Sequence, residues 1–246
     1  MKNILIILFF IYSSALSFGQ APNYDNLKIL YADANYEKLV KVAASYTEKD
    51  KSAKDVLPYI WLSKGLYKIS LSVNTDIKFK NAYKDAIKYL SKGIKYDLKY
   101  NDSSTVLNGD HREFLDNFQL SLQETIDDEF TSNNFKRAFS WALKYKKITL
   151  YPIGANYIMG ACKFLDQDKT SARNYWKECD EMMEKTTSLD QFSEADRSML
   201  KNGILSTAKS MVKGRQNTNA ESLLNKAAKW FEEDEDWKEL YDEILN

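Results

Sequence analysis

Apolar residues recur every three or four positions over most of the chain, which is the period of an amphipathic α-helix. The clearest example is the segment Val56 to Ser70, whose apolar side chains are spread over more than one helical face. Such a helix is predicted to lie between two neighbours. Comparable helices are predicted at Asp110 to Phe130, Ala155 to Phe164 and Ser193 to Lys213.

Five further segments open amphipathic helices with similar sequences, namely Asn35 to Val40, Ala82 to Ile87, Asn134 to Phe139, Ser171 to Trp176 and Asn219 to Leu224. The spacing between the segments is measured from one equivalent residue in each, namely Tyr36, Tyr83, Phe135, Ala172 and Ala220. These residues are 47, 52, 37 and 48 positions apart, which suits a helix pair with its loops. Five helical hairpins are therefore predicted.

The composition supports an all-α fold. Only 3 Pro and 8 Gly occur in 246 residues, whereas a sheet protein of this length needs many turns marked by such residues.

Glycines inside three of the predicted helices mark close packing. Gly65, Gly160 and Gly203 each cost about 1 kcal/mol relative to alanine in a helix, so they are expected where another backbone comes close. Around Gly160, we expect the small residues to let the helices of one pair touch. Trp176 is expected to fill the gap to the next pair.

At these residues the chain resembles tetratricopeptide (TPR) repeats. Met159-Gly160, Ala172, Trp176 and Cys179 match the small and aromatic positions of that pattern, and Trp61 with Gly65 matches half of it. The repeats here exceed the family length of about 34 residues, and the proline that usually ends the second helix is absent. The resemblance implies a TPR-like α-solenoid of about five helical hairpins. A compact, non-repeating helical bundle is the alternative.

A TPR-like solenoid presents a concave surface, built from first helices, that binds peptides or proteins. By position, the resemblance implies that Tyr59, Tyr157 and Arg197 face this groove as protein-binding residues. Aromatic and arginine side chains are typical of binding hot spots. The alternative for the tyrosines is packing between hairpins.

The first 19 residues have the pattern of a signal peptide, with Lys2, an apolar run from Ile4 to Tyr12, and Gly19 before the expected cleavage site. The run is about half of the ~20 residues that span a membrane, so no integral membrane segment is expected in the mature chain. Its end resembles signal peptides of Bacteroidota-type bacteria. The prediction is a periplasmic helical repeat domain over residues 20–246, with secretion beyond the outer membrane less favoured.

Charge is balanced overall, with 35 basic and 35 acidic side chains, which argues against nucleic acid as a partner. It is nevertheless segregated. Residues 131–165 hold six basic residues and no acid, whereas residues 232–246 hold eight acids and one lysine. Opposite charges at two places could steer a partner. Plain solvation is the alternative.

The chain shows no motif for catalysis, a metal or a cofactor. Its one histidine, His111, is predicted to be solvated near a helix start, and the acidic runs 127–129 and 232–236 are predicted to be solvated helix ends. Cys162 and Cys179 are expected to be buried thiols, because their axial offset of roughly 9 Å is too large for a disulfide.

These observations predict a non-enzymatic periplasmic scaffold or adaptor that binds protein partners of the cell envelope. By analogy, it could serve an outer-membrane protein export complex such as type IX secretion. Two alternatives are a helical hydrolase with dispersed carboxylates and a carrier that encloses a small ligand.

Overall fold

The computed structural model describes residues 24–73, 76–101 and 109–245, and all regular structure in these ranges is helical. The all-α prediction is confirmed. The predicted signal peptide, Met1 to Gly19, lies outside the described residues. The α-helices of the described ranges are α1 (Asp25–Ala32), α2 (Tyr36–Thr47), α3 (Val56–Ser70), α4 (Ala82–Tyr100), α5 (Arg112–Thr131), α6 (Phe135–Tyr145), α7 (Ile153–Leu165), α8 (Lys169–Lys185), α9 (Glu194–Lys213), α10 (Asn217–Phe231) and α11 (Glu235–Leu245).

Consecutive helices pack in pairs: α1 with α2, α3 with α4, α5 with α6, α7 with α8, and α9 with α10. The four best-marked first helices begin and end within two residues of their predicted bounds. Helix α11 packs against α9 and α10. The sequence pattern did not separate it from the preceding acidic run.

The turns inside four of these pairs have the same backbone form. One residue of each turn adopts a positive φ, at Ala34 (54°), Asn133 (60°), Gln167 (67°) and Arg215 (60°). The amide of the next residue then bonds back across the helix end, from Asn35 to Leu30 O, Asn134 to Glu129 O, Asp168 to Lys163 O and Gln216 to Met211 O, at 2.8–2.9 Å. This bond is the 6→1 contact of a Schellman cap. The same capped turn therefore recurs in four of the helix pairs.

The pair α3–α4 is the exception, because a longer connection containing a short 3₁₀ helix, Ile77–Phe79, joins its two helices.

Neighbouring pairs also contact one another. Helix α2 packs against α3, and α6 packs against α7. Helix α9 lies along α7 and also reaches α5, the first helix of an earlier pair.

The contact between α7 and α9 is made by backbone. A Cβ atom at Gly154 would lie 2.3 Å from the carbonyl oxygen of Met199, and one at Gly203 would lie 2.4 Å from the carbonyl oxygen of Gly154. The expectation of a close backbone therefore agrees with the structure at Gly203. At Gly65 it is wrong, because a Cβ there would meet the side chains of Val40 and Leu39 on α2.

Trp176 packs differently from the prediction. Its indole lies over Gly160, where an added Cβ would be 2.4 Å from Nε1, and its ring centroid is 5.4 Å from that of Phe164. Both partners belong to α7. The tryptophan therefore fills space inside its own pair and not between pairs.

The buried side chains form two clusters. The first core lies mainly between Tyr24 and Ile148, with a few residues from α7 and Met199 of α9. The second core extends from Ile153 to Ile244. Helix α7 contributes to both, since Ile158 belongs to the first core and Tyr157 to the second.

Candidate functional site

The three predicted binding residues lie in different surroundings. Tyr59 is 4% exposed, and its hydroxyl donates a 2.8 Å hydrogen bond to the carbonyl oxygen of Ala53. Tyr157 is 1% exposed, and its hydroxyl lies 2.7 Å from the sulfur of Met183. Arg197 is exposed. The two tyrosines are thus placed inside the protein, and Arg197 alone of the three is placed at the surface.

Arg197 lines an open cleft of about 890 Å³ between the loop that precedes α9, the first turns of α9 and the end of α10. We call this the Arg197 cleft. Its other lining residues are Thr187, Ser188, Leu189, Asp190, Phe192, Glu194, Ser198, Lys201, Lys229, Trp230, Phe231, Glu233 and Asp234.

Capping interactions fix the helix that carries Arg197. The Ser193 hydroxyl oxygen accepts a 3.0 Å hydrogen bond from the amide of Asp196, which sets the first turn of α9. In the preceding loop, Phe192 stacks on Tyr151, with ring centroids 4.0 Å apart. The loop and the helix start therefore form a fixed wall.

The opposite wall is held by an ion pair. Lys201 Nζ lies 2.8 Å from Asp234 Oδ2, and Asp234 Oδ1 also accepts a 2.9 Å bond from the amide of Trp237. One carboxylate thus caps α11 and ties the α10–α11 turn to α9. The Lys201 side chain is 17% exposed, so water weakens this pair less than a fully solvated one.

The guanidinium of Arg197 is available for a ligand. It forms no side-chain hydrogen bond or ion pair within the part of the chain that the structure describes. Trp230, across the cleft, has a buried Nε1 with no hydrogen-bond partner there, and Lys229 Nζ lies 4.4 Å from its ring centroid. The cleft therefore combines a free planar cation with an aromatic side chain.

A second surface groove, separate from the Arg197 cleft, is basic. A groove of about 410 Å³ between α4 and α6 is lined by Lys95, Lys99, Lys146 and Lys147. Lys146 pairs with Glu178 of α8 at 3.2 Å. The aromatic side chains of Phe135, Phe139 and Trp141 on α6 pack against the first core.

His111 is not solvated, contrary to the sequence prediction. It is 8% exposed and forms an edge-to-face contact with Trp61, with ring centroids 5.4 Å apart. Burial and the charge of Lys64 lower the pKa of His111 to about 4. Trp61 of α3, which His111 contacts, is distant from it in sequence, so the local pattern could not reveal this.

The acidic run 127–129 was also wrongly predicted to be wholly solvated. Asp127 accepts a 3.1 Å hydrogen bond from Asn202 of α9, and burial raises its pKa to about 6. Glu129 is 9% exposed and pairs with Arg137 at 2.6 Å. Asp128 is exposed, as expected.

Cys162 and Cys179 are buried free thiols, as the sequence geometry favoured. Across the described ranges, no group of three or more His, Cys, Asp and Glu side chains is arranged to hold a metal ion. No helix within the described ranges is long and apolar enough to cross a membrane.

No protein-family model, curated protein or solved structure matches this chain.

Proposed function

We propose that the protein is a non-enzymatic scaffold that binds a protein partner through the Arg197 cleft. The observation that carries this proposal is the exposed, unpaired guanidinium of Arg197 inside the 890 Å³ cleft. Arginine beside aromatic side chains is the usual composition of a binding hot spot, because the planar cation both stacks and donates paired hydrogen bonds.

The cleft suits a short peptide segment better than a flat protein surface. Phe192, Trp230 and Phe231 supply apolar contact, while Asp190, Glu194 and Lys229 supply charges of both signs around it. A peptide with an acidic residue next to a hydrophobic one would pair with Arg197 and cover an aromatic side chain. Mixed charges at the rim would orient it.

The architecture we propose is an irregular TPR-like α-solenoid. The same capped turn in four helix pairs supports a repeat, and the contacts of α2 with α3 and of α6 with α7 support stacking in chain order. The contact of α9 with both α7 and α5 supports strong curvature in the second half of the chain. A compact bundle is the competing arrangement.

The cellular setting we propose is the periplasm of a Bacteroidota-type envelope, on the basis of the signal-peptide pattern in residues 1–19. The accessory role in an outer-membrane export complex such as type IX secretion is the most specific form of the proposal.

The proposal is tested by photo-crosslinking in the cells that make the protein. A photoreactive phenylalanine analogue is placed at Glu194, which lines the cleft, and in a second strain at Arg173, an exposed residue of α8 outside it. We expect a defined protein adduct at position 194 and none of that mass at position 173.

The partner identified in this way is then purified and its affinity measured directly. Arg197→Glu should weaken binding by roughly 10- to 100-fold, the range for loss of a hot-spot arginine, whereas Arg173→Glu should not. Equal affinity of the Arg197→Glu protein and the wild type would overturn the assignment of the cleft.

A further inference from the structure

Three nitrogen-bearing side chains lie together in the interior, beside the first core. Trp61 and Lys64 belong to α3, and His111 immediately precedes α5. Their exposed fractions are 6%, 9% and 8%. None of them takes part in the cleft proposed above.

Aromatic rings surround the ammonium group of Lys64. Its Nζ lies 4.8 Å from the ring centroid of Trp61, 5.6 Å from that of Tyr31 and 5.3 Å from that of Phe114. His111 stands edge to face on Trp61. We call these five residues the donor box.

The box holds more hydrogen-bond donors than acceptors. Trp61 Nε1 is buried and has no hydrogen-bond partner, and the same is true of His111 Nδ1. Within the described ranges, Lys64 forms no side-chain hydrogen bond or ion pair. Cation–π contacts stabilise its charge but do not satisfy its N–H groups. The unpartnered indole and imidazole nitrogens beside it are fully buried, where a polar group without a partner is costly.

The box carries a single positive charge near neutral pH. Burial lowers the pKa of Lys64, and the charges of Glu113 and Asp110 oppose that shift. His111 is neutral there, because its pKa is lowered to about 4 by burial, Lys64 and Lys28, against the influence of Asp110. A neutral imidazole can carry its proton on Nδ1 and donate it.

We propose that the donor box binds a small monovalent oxyanion, which accepts hydrogen bonds from Lys64 Nζ and Trp61 Nε1 and lies against His111. A single cation favours a single negative charge, and the carboxylates of Asp110 and Glu113 disfavour a dianion. Because Trp61, Lys64 and His111 are each more than nine-tenths buried, the box favours a small planar ion such as formate, acetate or nitrate over a larger ligand.

The only histidine of the chain provides a specific signal for the test. The His111 Cε1 proton is followed by NMR while the full chain is titrated with formate, acetate or nitrate. We expect a saturable shift of this resonance and a rise in the pKa of His111, because a bound anion favours the imidazolium form.

Two variants test the donors separately. Lys64→Met keeps an unbranched apolar side chain among the rings and should weaken anion binding by about tenfold or more, as expected for loss of a charged donor. Trp61→Phe keeps a ring and removes only the indole N–H, so it should weaken binding by a smaller factor. The matched control is Lys144→Met, because Lys144 Nζ lies 4.5 Å from the ring centroid of Trp141 outside the box.

The following results would contradict the proposal. Absence of saturation with all three anions, or wild-type affinity in both Lys64→Met and Trp61→Phe, would show that the box is not an anion site. Equally tight binding of sulfate would overturn the preference for one charge, and equally tight binding of N-acetylglycylglycine would overturn the preference for a small ion. Arg197→Glu should leave the titration unchanged, which separates this site from the cleft.

Discussion

Contacts between helix pairs are made by different kinds of residue in the two cores. In the first core, the contact between the pairs α3–α4 and α5–α6 runs through aromatic rings. The ring centroid of Phe118 on α5 lies 4.5 Å from that of Tyr67 on α3 and 5.3 Å from that of Tyr83 on α4. In the second core, α7 and α9 meet at Gly154 and Gly203. Large rings keep helices apart, whereas glycines let backbones touch.

This difference determines what each region tolerates. A ring interface can adjust by small rotations of several side chains, since no backbone atom is in the way. A backbone contact has no such freedom, because any added atom must push one helix away from the other. The second core is therefore expected to be the more sensitive to small substitutions.

Glycine-to-alanine substitution should show the largest contrast. Gly154→Ala would set a methyl group 2.3 Å from the carbonyl oxygen of Met199, so α7 and α9 must separate. We expect a loss of about 2–3 kcal/mol in the free energy of unfolding, measured by urea denaturation. Gly65→Ala would meet the movable methyl groups of Val40 and Leu39 and gains helix propensity, so its effect should stay within about 1 kcal/mol.

The contrast between the two substitutions would be lost if both changed stability by the same amount. That result would mean that α7 and α9 separate as easily as side chains rotate at the α2–α3 interface.

The sequence predicted the helices better than their contacts. The period of apolar residues placed α3 at its observed bounds, because that signal is local and extends over a whole helix. The role of Gly154 was missed, since nothing near it in sequence indicates that Met199 lies beside it. The buried state of His111 was missed for the same reason.

Site prediction was limited in the same way. The first-helix residues Tyr59 and Tyr157 were chosen by register alone, and register does not say whether a neighbouring helix covers that face. Helix α9 covers Tyr157, as its Thr207 hydroxyl donates a 3.0 Å bond to the Tyr157 carbonyl oxygen. The exposure of an unpaired arginine beside a loop, such as Arg197, depends less on whether a neighbouring helix covers it.

Polar contacts between α5 and α9 join the two regions. Gln123 Nε2 donates a 3.0 Å hydrogen bond to Ser198 Oγ, and Asn202 Nδ2 donates a 3.1 Å bond to Asp127 Oδ2. Asp127 is the ionisable member of this contact. Burial is the main cause that raises its pKa to about 6.

Asp127→Asn should strengthen this junction at neutral pH. The folded chain holds a proton on Asp127 up to about pH 6, whereas an unfolded aspartate releases it near 3.9, so folding stability falls as pH rises between these values. Above pH 6 the variant should be more stable than the wild type by about 1–2 kcal/mol, allowing for partial exposure of the site. Below about pH 4 the two should unfold alike.

Urea denaturation at pH 4, 5, 6 and 7.5 measures this difference. A variant that is less stable than the wild type at pH 7.5 would show that the α5–α9 contact favours the charged carboxylate, which is the opposite of the effect expected from burial. Asp128→Asn, at an exposed neighbour, is the matched control and should change stability little at any of these pH values.

The two thiols report on the two cores separately, with little effect on stability. Cys162 belongs to the first core and Cys179 to the second. Burial raises the pKa of Cys162 to about 12 and that of Cys179 well above its ordinary value, so neither forms the reactive thiolate at pH 8. We expect no reaction of the native protein with a thiol reagent, and labelling of both residues after full unfolding.

The order of labelling in mild denaturant distinguishes the regions. Cys162 lines a surface cavity of about 100 Å³ with Phe135 and Phe139, whereas Cys179 is fully covered and its thiol lies 3.6 Å from the carbonyl oxygen of Ile153. A local opening near Phe135 suffices to expose Cys162, but Cys179 requires α8 to leave α7. The rates are compared in two single-thiol variants, Cys179→Ala, which retains Cys162, and Cys162→Ala, which retains Cys179. Cys162 should therefore react several-fold faster than Cys179. Equal rates at every denaturant concentration would instead show that the aromatic and the backbone-packed regions open as one cooperative unit.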